Sequence, residues 1–363
     1  MRIAFYAPLK SPDHPVPSGD RLMARMLCAA LTQAGHDVTL ASRLRSYCRD
    51  PDDHAVAAAI TAAATSERHR IAAEWPQDPP NVWVTYHPYY KSPDLIGPPL
   101  CEEFGLPYIT IESSFAPRRN LGLWAISQTA VLNGLTQAAV NICLTARDRA
   151  GIVAAAPAAR LADLPPFIDP SPYLATRPEQ PGPVRLITVA MMRPGDKFDS
   201  FAMLAQALSG LTHLNWRLTI VGAGPMEPQV RALFADVQDR VDWAGLCDPA
   251  RVAELLTQSD LYLWPGYGEA YGLAYLEAQA AGLPVVAQQV AGVPEVVTPQ
   301  TGLLTAPGDL PAYRAAAASL IIDTLLRQRL GQTARARVLA RHSFQAASAR
   351  LQQILNDVVN MHT

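Results

Sequence analysis

The chain has 363 residues, 49% of them hydrophobic, with 30 basic against 32 acidic side chains and a formal charge of −2. That length exceeds one ordinary hydrophobic core, so two domains are expected. The apolar content excludes a disordered chain, and the near-balance of charge argues against a nucleic-acid binder.

In chain order, Arg2 to Ala7 reads as a strand rather than as the charged and apolar regions of a signal peptide. A helix over Asp20 to Ala34 follows, closed by Gly35 in the left-handed conformation that glycine adopts cheaply. Asp37 to Ala41 is the next strand, and the Ala-rich stretch from Asp53 to Ala73 is helical. Val82 to Tyr86, Tyr108 to Ile111 and Val140 to Leu144 are further strands with helices between them. Such alternation indicates parallel βαβ units.

Eight prolines crowd the stretch from Ala156 to Pro183. Each removes a backbone donor and fixes φ, so no helix or central strand can cross it. It is read as a linker centred on residues 171–183. The alternation then restarts, with strands at Val184 to Ala190, Arg217 to Val221, Arg240 to Trp243, Leu261 to Trp264, Pro284 to Ala287 and Gly302 to Leu304. A helix is expected over Ser200 to Ser209, and mostly helical sequence from Pro311. The expected fold is α/β, with two doubly wound Rossmann-like domains facing across a cleft: residues 1–170, then 184–340. A last helix over 341–363 would cross back to the first domain. Ligands of such sheets bind outside the carboxyl ends of the strands.

Five scattered cysteines, Cys28, Cys48, Cys101, Cys143 and Cys247, form no C-x-x-C pair. A disulfide framework or zinc site is not indicated, and a reducing cytoplasm is the expected home. With no apolar run of membrane-spanning length, only peripheral contact with the inner face of a membrane is left open.

The segment Trp264-Pro265-Gly266-Tyr267-Gly268-Glu269-Ala270-Tyr271-Gly272-Leu273 carries the most chemistry. A strand ends, a Pro/Gly loop follows, and a helix is expected from about Tyr271. The first N–H groups of a helix lack internal partners and sit at the positive end of its dipole, which suits a diphosphate. Gly272 would let a phosphate approach the main chain. Glu269 and Glu277 lie eight positions apart. On a helix that is roughly 12 Å or less, about the span from the sugar to the ribose of a nucleotide sugar. Each carboxylate can accept paired hydrogen bonds from a diol. As a bare pair they would read as one dipole-favoured acid and one solvated acid; the loop around them favours the ligand reading. Arg193 and Lys197, past the strand ending at Ala190, could neutralise a diphosphate leaving group.

Other signals are weaker. Gly222-Ala223-Gly224 lacks the third glycine of a dinucleotide fingerprint, since position 227 is Glu227. Asp50-Pro51-Asp52 reads as helix-capping acids rather than a D-x-D metal site. Arginines of the first half, among them Arg43, Arg45, Arg118 and Arg119, could steer an anionic acceptor or meet lipid headgroups, or simply be solvated. The aromatics from Tyr86 to Tyr90, with Phe115 and Trp124, could line an acceptor groove or a core.

Arg193-x-x-x-Lys197, the turn Val221-Gly222-Ala223-Gly224-Pro225, Gly245 after a strand and Glu269-x₇-Glu277 form an ordered series. Ala281-Gly282-Leu283-Pro284 and Gly292-Val293-Pro294-Glu295 complete it. Together, over about residues 184–310, they resemble the donor domain of the family 4 retaining glycosyltransferases of the GT-B fold. The first half matches more loosely, through Pro17-Ser18-Gly19-Asp20 and Ala34-Gly35-His36-Asp37.

The resemblance implies transfer of a hexose from a nucleoside diphosphate sugar to an unknown acceptor with retention, and no metal or other cofactor. It places Glu269 on the donor sugar, Glu277 on the ribose, and Arg193 and Lys197 on the departing diphosphate. Gly19, Gly222, Gly245, Tyr271, Gly272 and Leu273 would line the donor. One departure stands out. Members commonly carry a histidine after the strand that here reads Tyr108 to Ile111, and this chain continues Glu112-Ser113-Ser114. Either His87, after the preceding strand, or Glu112 is expected to face the donor or acceptor; the plainer readings are a structural hydrogen-bonding histidine and a strand-terminal cap. The rival functions are a binding or scaffold subunit that has lost activity, and a nucleotide-sugar epimerase.

Overall fold

The computed structural model describes residues 1–16, 18–75, 78–175 and 182–362. Pro17 of the expected glycine loop and residues 176–181 of the expected linker lie outside the described residues. The chain divides into two compact units, Met1–Pro165 with Gln345–Thr363, and Pro166–Phe344.

The first unit is built on six parallel strands: β1 (Arg2–Tyr6), β2 (Asp37–Ser42), β3 (Val82–Tyr86), β4 (Tyr108–Ile111), β5 (Val140–Cys143) and β6 (Leu161–Asp163). Their order is β2-β1-β3-β4-β5-β6. β3, β4 and β5 are buried along their whole length, as expected of parallel strands covered on both faces by helices. Those helices are α1 (Gly19–Gln33), α2 (His54–Glu74), α3 (Gly97–Phe104), α4 (Gly122–Gln137) and α5 (Ala146–Ala155). β6 falls inside the proline-crowded stretch, where only a short edge strand can form. The cap of α2 is Asp53, which accepts from Val56 N; Asp50 instead accepts from Asp52 N, closing the turn before it. Ser18 caps α1 by accepting from Arg21 N.

The second unit repeats the plan with β7 (Val184–Val189), β8 (Trp216–Val221), β9 (Val241–Gly245), β10 (Leu261–Leu263), β11 (Val285–Gln288) and β12 (Gly302–Thr305), ordered β12-β11-β10-β7-β8-β9. Its helices are α6 (Asp196–Ser209), α7 (Glu227–Leu233), α8 (Pro249–Thr257), α9 (Leu273–Ala280), α10 (Val293–Val296), α11 (Leu310–Ile322) and α12 (Thr324–Arg341). The 3₁₀ turn Ser171–Tyr173 packs on α8 and α9 within this unit. The last helix, α13 (Phe344–His362), returns to the first unit from Gln345 onward, where Ser348 Oγ donates to Ala30 O and Arg350 Nε to Asp163 O.

Both sheets are doubly wound. The strand order reverses between β1 and β3 in the first unit and between β7 and β10 in the second. Each reversal opens a crevice at the carboxyl ends of the strands, because the loops leaving its two strands turn to opposite faces of the sheet. No helix among the described residues is long and apolar enough to cross a membrane.

Candidate functional sites at the two sheet edges

In the second unit, the loops leaving β7 and β10 meet across the reversal. α6 begins at Asp196, a full turn before the expected Ser200, because Gly195 (φ 79°) starts it and Asp196 and Asp199 occupy its first turn. Acids there are favoured by the helix dipole. Lys197 is thereby fixed on a helix rather than in a loop. Its Nζ pairs with Glu269 Oε1 and stands 5.6 Å from the centre of the Trp264 ring. Trp264 Nε1 donates to the same oxygen at 3.1 Å. Glu269 Oε2 has no partner among the described residues.

The loop that presents Glu269 depends on glycine. Gly266, Gly268 and Gly272 have φ of 77°, 68° and 76°, and a Cβ at each would collide with Tyr275, Asp196 and Tyr275 respectively. Tyr275 is fully buried and its hydroxyl donates to Trp264 O, so the ring is the mould around which the loop bends. α9 begins at Leu273, two residues later than expected, with Gly272 at the cap and no side chain capping it. Tyr275 N donates back to Gly272 O at 3.1 Å, whereas the N–H groups of Leu273 and Ala274 have no partner among the described residues and can bind an anion. Tyr271 is buried beside this turn, and Leu273 is half-buried.

Glu277 lies a turn further along α9 and is half-buried. Burial raises its carboxyl above the usual carboxylate range, and the Tyr173 hydroxyl works against that. Arg193 is exposed on the loop after β7, and its guanidinium has no ion-pair partner among the described residues. Gly222 directly follows β8 and Gly245 ends β9, joined by Gly222 N donating to Gly245 O at 2.8 Å. Gly222 has a packing reason to be glycine: a Cβ would collide with Ala190 O at the end of β7. Gly245 (φ 68°) has open space around it instead.

In the first unit, the loops after β1, β3, β4 and β5 bring together a titratable cluster. His87 and Glu112 directly follow β3 and β4, and both hold left-handed φ, 57° and 55°. Two non-glycine residues so placed, one after each of two neighbouring strands, mark stored backbone strain, which concentrates at functional positions. His87 Nδ1 lies 3.1 Å from Asp20 Oδ1, in the first turn of α1, next to Gly19, where a Cβ would meet open space. Tyr86 OH donates to Glu112 Oε2 at 2.9 Å. Asp148 in the first turn of α5 completes the group, accepting from Thr145 Oγ1 at 2.7 Å.

The charges in this cluster act on one another. Burial alone would lower His87, but Asp20, Glu112 and Asp148 outweigh it, and the imidazole titrates above its ordinary value. Glu112 is pushed up to about 7, chiefly by burial, with Asp148 and Asp20 adding and the His87 cation and Tyr86 hydroxyl opposing. Burial also raises Asp148, whereas the His87 hydrogen bond lowers Asp20. Beside this cluster the rings of His87, Tyr89, Tyr90 and Trp124 follow one another at 5.1, 5.3 and 5.0 Å, with Lys91 Nζ 4.8 Å from the Trp124 ring centre.

The structure thus joins Lys197 to Glu269 in one unit and sets His87 near Glu112 in the other, while the Arg193 side chain forms no hydrogen bond or ion pair with any of them among the described residues. Sequence reasoning missed Asp148, whose Thr145-x-x-Asp148 spacing reads as an ordinary helix start, and the pairing of Asp20 with His87. It also missed Tyr173, which stands in the stretch read as a linker. Among the described residues no group of three or more His, Cys, Asp or Glu is arranged to hold a metal ion.

Residues 183–323 match the family model described as glycosyl transferases group 1. Over 146 residues the chain is 36% identical to the GDP-mannose-dependent monoacylated α-(1-6)-phosphatidylinositol monomannoside mannosyltransferase of Corynebacterium glutamicum. That match covers 38% of each protein, so the chain spans well under half the length of this relative. The fold is similar throughout to sucrose-phosphate synthase from Thermosynechococcus elongatus, with a TM-score of 0.74, 19% identity and 99% of each chain covered. It is similar also to Anabaena HepE in complex with UDP, with a TM-score of 0.71 and 15% identity over 98% of this chain and 100% of that one.

Proposed function

We propose that this GT-B chain, whose residues 183–323 form a glycosyl transferases group 1 domain, moves a hexose from a nucleoside diphosphate sugar to a hydroxyl of a glycan, lipid or small-molecule acceptor, with retention and without a metal. The observation that carries this reading is the Lys197–Glu269 pair across the β7/β10 reversal, beside the uncapped start of α9.

Each group has a chemical part. The N–H groups of Leu273 and Ala274 at the start of α9 hold the diphosphate, which is most negative as it departs. Lys197 exchanges Glu269 for a phosphate oxygen, and Arg193, exposed and without an acidic partner, adds a second charge. Charge fixed in advance where negative charge develops lowers the barrier without reorganisation at the moment of reaction. Glu269, released from Lys197, accepts from the sugar hydroxyls and favours positive charge at the anomeric carbon. Glu277 accepts from the ribose diol. The bond from the anomeric carbon to the phosphate oxygen breaks as the acceptor oxygen attacks the face it leaves. The acceptor proton goes to the departing phosphate oxygen.

In the first unit, His87 and Glu112 are proposed to meet the acceptor and hold its hydroxyl by hydrogen bonds, Glu112 with a carboxyl that burial pushes up to about 7. GDP-mannose stands in the name of one relative and UDP in the complex of a structural neighbour, so both bases belong in the test. A thermal-shift panel of UDP, GDP, ADP and TDP sugars should pick out one base, because a ligand that binds the folded state raises its stability. The anomeric configuration of the product, read by NMR, should match that of the donor. No shift with any donor, or an inverted product, would refute the respective part of the reading.

A further inference from the structure

We infer that Trp264, directly after β10, is a positioning residue for the reacting centre: its indole N–H holds Glu269 Oε1 while Lys197 is drawn away to the donor phosphates, so that Oε2 stays aimed at the donor sugar. The inference rests on the donor roles proposed above for Glu269 and Lys197. Two donors converge on Glu269 Oε1, the Lys197 ammonium and Trp264 Nε1, the latter at 3.1 Å. A ligand acts on them differently. An ammonium on a flexible stem is a mobile charge that a phosphate can capture. An indole carries no charge and a single N–H, so an anion gains little by competing for it.

Several contacts lock the indole in place. Trp264 is buried, and its ring meets that of Phe201 edge to face, with centroids 4.9 Å apart. Phe201 lies four residues after Lys197 on α6, hence on the same face of that helix. The main chain of Trp264 is tied at both ends: its N donates to Val286 O at 3.1 Å, and its O accepts from the Tyr275 hydroxyl at 3.2 Å. The loop that leads to the carboxylate is fixed as well. Glu269 N donates to Gly266 O at 3.1 Å, closing a turn whose third residue, Gly268, holds φ of 68°. Tyr267 N donates to the buried Ser200 Oγ at 3.0 Å, which pins this turn to α6. Indole and carboxylate therefore meet with little freedom left to lose.

The indole matters most when the ion pair opens. The Glu269 side chain is only 18% exposed, so water replaces Lys197 poorly. A carboxylate left there without a donor would be costly and free to rotate. With the indole in place, Oε1 keeps one hydrogen bond. Oε2, which has no partner among the described residues, is the oxygen offered to the sugar hydroxyls in a fixed direction.

The test compares donor turnover and thermal unfolding in Trp264→Phe, Glu269→Ala and the double variant. Trp264→Phe keeps an aromatic ring against Phe201 and removes the N–H. It should unfold within a few degrees of the wild type, because Lys197 still holds Glu269 in the free protein. It should lower kcat about ten- to thirtyfold, the cost of one hydrogen bond to a charged group. The donor KM and the affinity for the free nucleoside diphosphate rest on α9 and Glu277, and should change by less than about threefold. In the Glu269→Ala background, Trp264→Phe should add nothing further.

A kcat close to that of the wild type, a KM rise as large as the fall in kcat, additivity in the double variant or a large loss of thermal stability would each overturn the inference. If the wild type turns over no donor, or if Glu269→Ala alone leaves kcat intact, the donor reading fails instead.

Discussion

Each sheet of this protein reverses its strand order once, and at each reversal an ion pair spans the crevice. In the first unit Asp20, on the helix after β1, meets His87 after β3; in the second, Lys197, on the helix after β7, meets Glu269 after β10. The topology is shared, but the electrostatics differ. The first pair belongs to a cluster with three carboxyls, whose burial and mutual repulsion push Glu112 into the neutral range. The second is a one-to-one pair a few residues before an uncapped helix start. The same topology thus frames a crowd of acids in one unit and a lone ion pair in the other, which under the proposed function would handle protons and bind an anion respectively.

Three variants would break or sharpen that contrast. The largest effect is expected at Glu269→Gln, which should lower kcat for transfer by about 10²–10³, the cost of removing a prearranged electrostatic partner. Steady-state kinetics at saturating donor reads it, and a fall of less than tenfold would remove Glu269 from the reacting centre. In the first unit, His87→Ala and Glu112→Gln should each slow transfer by roughly ten- to a hundredfold while leaving donor binding intact. Transfer and donor hydrolysis measured side by side separate the two residues. Wild-type rates in both would assign the acceptor to other groups.

The smallest effect concerns stability. Glu112 titrates at about 7 in the folded chain against an ordinary value of 4.5. Between those values the folded chain holds a proton that the unfolded chain has released, so this group's contribution to stability declines as the pH rises from about 4.5 through 7. Glu112→Gln should therefore lose less Tm between pH 5 and pH 8 than the wild type, by about a few degrees. An identical Tm decline in the two proteins would place Glu112 in an ordinary solvated setting.

The strands and their order of appearance were legible because parallel strands covered on both faces are written as short apolar runs, as in Val82 to Tyr86 and Val285 to Ala287. The glycine loop before Glu269 was legible for a related reason, since local backbone demands are met by local sequence. What escaped is tertiary. The first turn of α6 is too polar to show a helical stripe, so Lys197 read as a loop residue. Gly222 drew attention as a possible phosphate neighbour, yet its nearest constraint is the main chain of Ala190, from a different strand. Tyr173 lies in a stretch whose prolines signal only irregular chain, and nothing near it in sequence points to α9. The pairing of Asp20 with His87 depends on which strands become neighbours, and local spacing does not encode that.

The central claim is that the second unit's ion pair is a diphosphate site at rest. Its most direct test is release of nucleoside diphosphate from a panel of nucleotide sugars by the wild type and by Lys197→Ala, with the folding of each checked. One class of donor should be turned over by the wild type, and Lys197→Ala should be at least a hundredfold slower at saturation. Equal rates in the two proteins, or no turnover of any donor, would contradict it.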